Sequence, residues 1–445
     1  MKKKLLLLAV FASIVAIPLQ SSFATNGDDL IGVTPNSEAM GGIGVGMPVG
    51  SVDSIFRNPA WMDTAKSTKV QFGGMLFMPS VKGEVNPGAS ADSNANLFLV
   101  PEIGIIHRIN NKLVFGIGAF GVSGMGTDYS GKGIPSQYPS TWAPPLGNMR
   151  TTLQFMRIIP ALSYQINPMI SIGAGMDFAY GSLDMNATMP NGCGQTSPCT
   201  GEASYGGGQS STLGIGGQLG IAFNFGNFVY AGLNYQSPIS MTYKHVFDFQ
   251  GASRGNFSGN FQDLKLEQPQ ELAFGVGIAP TEKWNVGADV RWINWSNADG
   301  YKEFGWKDQW VFAVGTSYKV TPKLTLRAGF NYARSPIRSN NFGYSSPQLT
   351  HPSVSISGAQ FNQYDIDYFN LLGFPAITEE AITLGGSYQF TNTFGVSLAY
   401  EHDFQHSVTD SGQCFNPYTG QGPYPCSITA KNAEDSVSVA LEWRF

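Results

Sequence analysis

Charged residues are scarce in this sequence. Asp, Glu, Lys and Arg make up only 13% of its 445 residues, about half the roughly 25% of ordinary soluble proteins, and this excludes a typical cytosolic globule. Long apolar runs are scarce too. Mean hydropathy is -0.07, so the low charge is not offset by the ~20-residue apolar stretches that a bundle of membrane helices requires. A concentrated positive patch is missing as well: 26 Lys and Arg stand against 31 Asp and Glu, the net charge is -5, and nothing reaches the basic density of a nucleic-acid surface. What fills the chain is 54 Gly, 13% aromatics and abundant Ser, Asn and Thr. That mixture excludes disorder, because disordered chains are poor in aromatics, and it suits short alternating strands joined by polar turns.

Lys2, Lys3 and Lys4 precede an apolar run from Leu5 to Ile17, and Ser22-Phe23-Ala24 follows it. This is the layout of a secretory signal peptide over residues 1–24, with a mature chain starting at Thr25. The apolar run, about 13 residues, is too short to cross a hydrocarbon core of roughly 30 Å, so the chain is read as exported with no helical anchor. Its four cysteines form two local pairs, Cys193 with Cys199 and Cys414 with Cys426, each in a segment rich in Gly, Pro, Ser and Asn. In an oxidising compartment an even count predicts disulfides. A metal site is the competing reading, but the spacings do not match zinc motifs and the histidines do not lie beside both pairs. No metal or other cofactor is expected.

From about Val70 onward, runs alternating large apolar with small or polar residues are separated by turns, which is strand periodicity. The last run is the clearest: Val437, Val439, Leu441, Trp443 and Phe445 share one face while Ser436, Ser438, Ala440, Glu442 and Arg444 share the other. In a soluble sandwich the apolar face meets a second sheet, whereas in an outer-membrane barrel it meets lipid and the polar face lines a lumen. The aromatic Phe445 favours the barrel, because it resembles the C-terminal signal read in barrel assembly. The connections decide further. Short turns at Asn110-Asn111-Lys112, Asn167-Pro168, Asn224 to Asn227, Ala279 to Lys283, Thr321-Pro322-Lys323 and Thr391-Asn392-Thr393 alternate with longer loops, as periplasmic turns alternate with extracellular loops in such barrels. The reading is all-β, a 14-stranded antiparallel transmembrane barrel over residues 67–445, with strands near 67–79, 97–109, 113–123, 151–166, 170–184, 212–223, 228–248, 263–278, 284–296, 309–320, 324–335, 378–390, 394–406 and 433–445.

Residues 25–66 fit no barrel hairpin. A fourteen-stranded barrel leaves a lumen that side chains alone do not fill, so this Gly-rich segment, with Ile31, Val33, Ile43, Val45 and Phe56, is read as a plug inside it; the alternative is a disordered periplasmic leader. The loop from Pro336 to Ile377 ends in an unusually apolar stretch, and Phe369, Leu371, Leu372 and Phe374 are its candidate groove residues, with Trp142 second. Strand parity sends Arg157, Lys265, Glu267, Glu271, Asp289, Arg291 and Arg327 into the lumen. A carboxylate headgroup needs one of the bases, Arg157, Lys265, Arg291 or Arg327; the alternative is that these charges pair with each other or with the plug. Gly41 to Gly46 resembles a nucleotide loop only superficially, since no strand precedes it and no Lys-Ser/Thr follows. His402 and His406, near Ser407 and Glu401, suggest a surface hydrolase, but residues four apart on a strand lie roughly 13 Å from each other. No enzyme activity is expected.

Particular residues then resemble a family. Arg57-Asn58-Pro59-Ala60-Trp61, preceded by Ala39-Met40-Gly41-Gly42 and Asp53, is similar to the Asn-Pro-Ala hatch motif of the FadL/TodX outer-membrane channels for long-chain fatty acids and aromatic hydrocarbons. Asp289-Val290-Arg291-Trp292 with Asn294-Trp295-Ser296, then Asp308-Gln309-Trp310, Ala313 to Tyr318, Arg327-Ala328-Gly329 and Ser335-Pro336-Ile337 continue the likeness in order. The resemblance implies an integral outer-membrane channel, most simply monomeric, in contact with membrane lipid and lipopolysaccharide. It takes up hydrophobic small molecules passively: capture in the loops, passage gated by a hatch with Arg57, Asn58, Pro59 and Ala60, and sideways release where the third strand kinks. Gly116, Gly118, Gly121 and Gly124 are the candidates for that kink, or they make room for the hatch. Fatty acids are the first substrate expectation and monoaromatic or other hydrocarbons the second; a general porin, which has no plug, is more distant.

Overall fold

The computed structural model describes residues 26–132, 146–193, 199–345, 354–416 and 419–445. The signal-peptide reading of residues 1–24 and the groove residue Trp142 lie outside them.

Fourteen strands follow one another around a closed barrel. In chain order they are β1 Lys69–Asn86, β2 Phe98–Arg108, β3 Leu113–Asp128, β4 Arg150–Asn167, β5 Ile170–Asn186, β6 Ser210–Phe225, β7 Val229–Gln236, β8 Glu271–Thr281, β9 Trp284–Ile293, β10 Gln309–Lys319, β11 Leu324–Ala333, β12 Glu380–Gln389, β13 Phe394–Cys414 and β14 Tyr424–Arg444. Each pairs antiparallel with the next, and β14 closes the ring by pairing with β1 from Lys69↔Arg444 to Asn86↔Ser427. Closure removes the sheet edges, which is what permits strands to stand in lipid. The outward face is apolar along whole strands, with Leu213, Ile215 and Leu219 of β6 and Trp310 and Val314 of β10 exposed. Aromatics collect at the short-turn end: Phe225, Phe228, Trp284, Tyr318, Tyr388, Phe390 and Phe445 are all exposed, forming an interfacial girdle.

The short turns fall where the alternation puts them, but four strand ends do not. The runs expected over 228–248 and 263–278 break at Ser237-Pro238 and Pro269-Gln270, because proline has no N–H for the ladder. Beyond the break, Ile239–Phe247 and Gln262–Gln268 pair with each other instead of with the barrel strands. This ribbon leans over the inner face of the barrel: Ile239 and Met241 pack where side chains at Gly214 and Gly216 would stand, and Tyr243 packs at Gly181. The break also shifts parity, so Leu264 and Leu266 are buried and Lys265, expected in the lumen, is about half exposed and paired with Asp299 at the surface. At the other end of the chain, β13 and β14 run well past the expected 406 and 433. The Cys414–Cys426 disulfide therefore staples the tip of a hairpin, and Cys193–Cys199 closes a loop after β5.

Candidate functional site

The segment from Asn26 to Ala65 lies inside the barrel, nearly all of it buried. Two short helices, α1 Pro35–Glu38 and α2 Asp53–Arg57, and a 3-10 turn Pro59–Thr64 leave most of its backbone without internal partners. Wall side chains supply them, as buried amides require. Asp289 of β9 accepts three consecutive N–H groups, from Gly44 at 2.7 Å, Val45 at 2.8 Å and Gly46 at 2.9 Å. Gln218 donates to the Ile55 carbonyl at 2.6 Å, Ser163 to that of Ala60 at 2.8 Å, and Asn331 to that of Gly41 at 2.9 Å. Asn58 works in the opposite direction: its amide donates to Val45 within the segment at 3.1 Å and to Ile221 and Leu233 of β6 and β7 at 3.2 and 3.3 Å, while its oxygen caps Ala60 N–H. Glycine makes this contact possible. A Cβ on Gly46 would stand 2.2 Å from the Gly275 carbonyl carbon, and one on Gly232 would stand 2.0 Å from the Val45 oxygen.

The wall is incomplete at one place. Pairing of β2 with β3 ends at Glu102↔Phe120, and the β3–β4 register shifts between Gly121 and Ser123. Above that point the N-terminal segment takes the place of β2: Leu30 N–H donates to the Val122 carbonyl and Gly124 N–H to that of Asp28, both at 2.9 Å. Leu30 then packs with Met75, Phe77, Phe98 and Val100. Among the four predicted glycines, Gly116 makes room for Ile55 and Met62, Gly118 for the Phe120 ring, Gly121 for Val100, and Gly124 supplies the backbone bond to Asp28.

Buried arginines gather next to this segment. The Phe56 ring lies 4.9 Å from the Arg57 guanidinium and 5.6 Å from that of Arg157, which also sits 5.4 Å from Phe155. Arg57 donates to the Leu30 and Ile31 carbonyls, and Arg291 donates to Glu271 at 2.9 Å. Several N–H groups are left over: Nε of Arg57 and Arg157, and Nε and Nη2 of Arg291 are buried with no partner among the described residues. Burial, reinforced by the like charge of Arg291, pulls the Arg57 guanidinium down to about 9. Arg327 lies elsewhere, donating to Ser387 at 2.6 Å.

On the loop side stands an apolar cavity of about 30 Å³, lined by Met125, Leu153, Leu183, Met185, Leu264, Leu266, Tyr301, Phe304, Trp306, Asn370 and Phe374. Its floor is polar. Tyr301 donates its hydroxyl to Asp28 of the N-terminal segment, and Gln268 reaches both Asp28 at 3.3 Å and Tyr301 at 3.2 Å. Burial pushes the Asp28 carboxyl up to about 6 despite these bonds. Tyr301 packs at a tilt against Trp295 and edge-to-face against Trp306, with ring centres 4.6 and 4.7 Å away. The cavity is several times smaller than the ~150 Å³ that admits benzene, so any ring-sized ligand has to move its lining.

The model of the outer membrane protein transport family (OMPP1/FadL/TodX) matches residues 32–349. The chain belongs to the FadL/TodX family. It is an outer-membrane channel for hydrophobic compounds and not an enzyme. Curated relatives include the long-chain fatty acid transport protein of Escherichia coli K12, 24% identical over 356 residues that cover 68% of this chain and 77% of that protein. Another is outer membrane protein P1 of Haemophilus influenzae, 21% identical over 402 residues and 78% of each chain. Among solved structures, the Pseudomonas putida toluene transporter TodX superposes with a TM-score of 0.67 at 20% identity over 94% of this chain and 99% of TodX. A Pseudomonas aeruginosa FadL homologue superposes equally well, 0.67 at 16% identity, over 94% of this chain and all of that one.

In this FadL/TodX chain the structure brings Arg157 and Arg291 together with Arg57, and leaves Arg327 and Lys265 apart from them. Of the apolar loop residues, Phe374 alone lines the cavity; Phe369 packs on Phe247 with ring centres 5.4 Å apart, and Leu371 and Leu372 are buried beneath. The sequence reading missed Tyr301, Phe304 and Trp306 in the loop after β9, and Leu264 and Leu266 in the ribbon. A signal for the former was available: Trp292, Trp295, Tyr301, Phe304, Trp306 and Trp310 fall within nineteen residues, a density that polar loops do not carry.

Proposed function

We infer that this channel takes up long-chain fatty acids. The loops capture the acyl chain in the apolar cavity behind Phe374 and Trp306, and the carboxylate settles on Arg157 and Arg291. The segment 25–66 is the hatch, with Arg57, Asn58, Pro59 and Ala60 holding it closed. The tail leaves sideways where β3 parts from β2. Sideways release avoids rehydrating the chain at roughly 25 cal/mol per Å² of apolar surface. The observation that carries the reading is the group of buried arginine N–H donors without partners, since a carboxylate satisfies such donors and a hydrocarbon does not. The second reading, a monoaromatic hydrocarbon, is favoured by the cavity lining itself, which contains no base. Uptake by cells without other such channels separates the two. Arg157→Ala and Arg291→Ala should lower oleate uptake and spare toluene; equal losses for both refute the headgroup assignment, and uptake unchanged after deletion of residues 25–65 refutes the hatch.

A further inference from the structure

Charge is unevenly spread over the short turns. Asn167-Pro168, Asn224 to Asn227 and Thr391-Asn392-Thr393 carry none, and the turn at Asn110 to Lys112 carries Lys112 alone. The bases gather on two adjacent turns instead. Lys283 lies between β8 and β9, Lys319 ends β10, and Lys323 lies between β10 and β11; all three are exposed. Backbone bonds hold these turns side by side: Lys319 N–H donates to the Lys283 carbonyl at 2.8 Å, and Gln389 N–H of β12 donates to that of Lys323 at 2.9 Å. With neighbouring strands roughly 4.8 Å apart, the three strand ends span about 10 Å. Glu282 is the one acid on these turns, and neither it nor the lysines form an ion pair among the described residues.

On the membrane side of these lysines lies the aromatic girdle. Trp284 and Tyr318 are cross-strand partners, both exposed, and Tyr388 and Phe390 flank the other side with ring centres 4.9 Å apart. Girdle aromatics sit at the level of the lipid headgroups, so the ammonium groups beside them stand at the depth of the lipid phosphates. Lys323 leans along this rim, its Nζ 3.4 Å from the Phe390 carbonyl oxygen. A lysine ammonium meets phosphate as a point charge, while its apolar stem lies against the rings.

We propose that Lys283, Lys319 and Lys323 bind the phosphate headgroup of an anionic phospholipid in the periplasmic leaflet, its glycerol and upper acyl chains resting against Trp284, Tyr318, Tyr388 and Phe390. The site belongs to one sector of the rim, β9 to β12, and lies at the end of the barrel opposite the loop-side cavity. It is therefore independent of which compound the channel carries.

Native mass spectrometry of the purified full-length channel, titrated with dioleoylphosphatidylglycerol or dioleoylphosphatidylcholine, tests the proposal. The wild type should bind the anionic lipid more tightly. Lys283→Gln, Lys319→Gln and Lys323→Gln should each weaken that preference about fivefold, the factor for roughly 1 kcal/mol per base beside an anionic surface. Arginine at all three positions should keep it, and Lys112→Gln, on the opposite side of the ring, should change nothing. A wild type without preference, or a triple glutamine variant that retains it, overturns the site. An equal loss in Lys112→Gln would reduce it to a diffuse effect of net charge and overturns it too. Glycerol 3-phosphate that displaces the lipid at equal concentration would mark a free-phosphate site and overturn the lipid assignment.

Discussion

Replacing Asp289 by Ala should unlatch the N-terminal segment without unfolding the barrel. The carboxylate receives three backbone N–H groups at 2.7 to 2.9 Å, and hydrogen bonds to a charged group contribute about 1.5–3 kcal/mol each. Alanine leaves the three donors buried and unpaired. The segment keeps its other anchors at Asn58, Gln218 and Asn331, and water entering the vacated space recovers part of the loss. A net cost of about 3 kcal/mol is a reasonable lower figure, which raises the population with Gly44–Gly46 detached by about 150-fold. Hydrogen exchange of these amides in the purified channel should speed up by that factor, while amides in the β13–β14 ladder, bonded between strands and not to Asp289, stay protected. Exchange within about threefold of wild type would refute the argument that this aspartate holds the segment.

Three further outcomes follow from the same contacts. Gly46→Ala puts a methyl 2.2 Å from the Gly275 backbone, so it should detach the same stretch at a cost of about 1–3 kcal/mol, read by the same exchange experiment. Trp306→Ala should enlarge the 30 Å³ cavity toward the ~150 Å³ that admits benzene and strengthen binding of benzene-sized ligands measured by calorimetry; unchanged affinity would show that the cavity is not on the ligand path. Glu38 of the segment bonds Ser436 and Ser438, faces Asp403 and Glu401, and is pushed up to about 7, chiefly by burial. Because this pKa is raised on docking, its contribution is fully present below about 4.5 and is lost as pH rises through about 7. Protease sensitivity of the segment should increase over that interval in the wild type and not in Glu38→Gln.

The barrel was legible because lipid imposes a period-two pattern on every strand, and the six short turns carry their own Asn, Pro and Thr chemistry. The Asn-Pro-Ala motif was legible as a resemblance, and in the structure its Asn58 side chain ties its own segment to two strands. The cavity was not legible. Parity counting across Pro238 and Pro269 assumed unbroken strands, so it pointed Lys265 inward and hid Leu264 and Leu266. The glycines at 41 to 46, set aside as a nucleotide loop, serve close approach of one backbone to another, which no local pattern announces.

Sequence alone determined the alternating barrel strands and the presence of inward-facing charges, because each follows from composition or from a local period, and it carried the family as a resemblance of motifs. Tertiary structure decided which charges meet. Arg57 comes from the segment, Arg157 from β4 and Arg291 from β9, and they become neighbours only because residues 26–65 fold into the lumen that the later strands enclose. The N–H groups left unpaired on these arginines are a property of that enclosure and of no single stretch of chain.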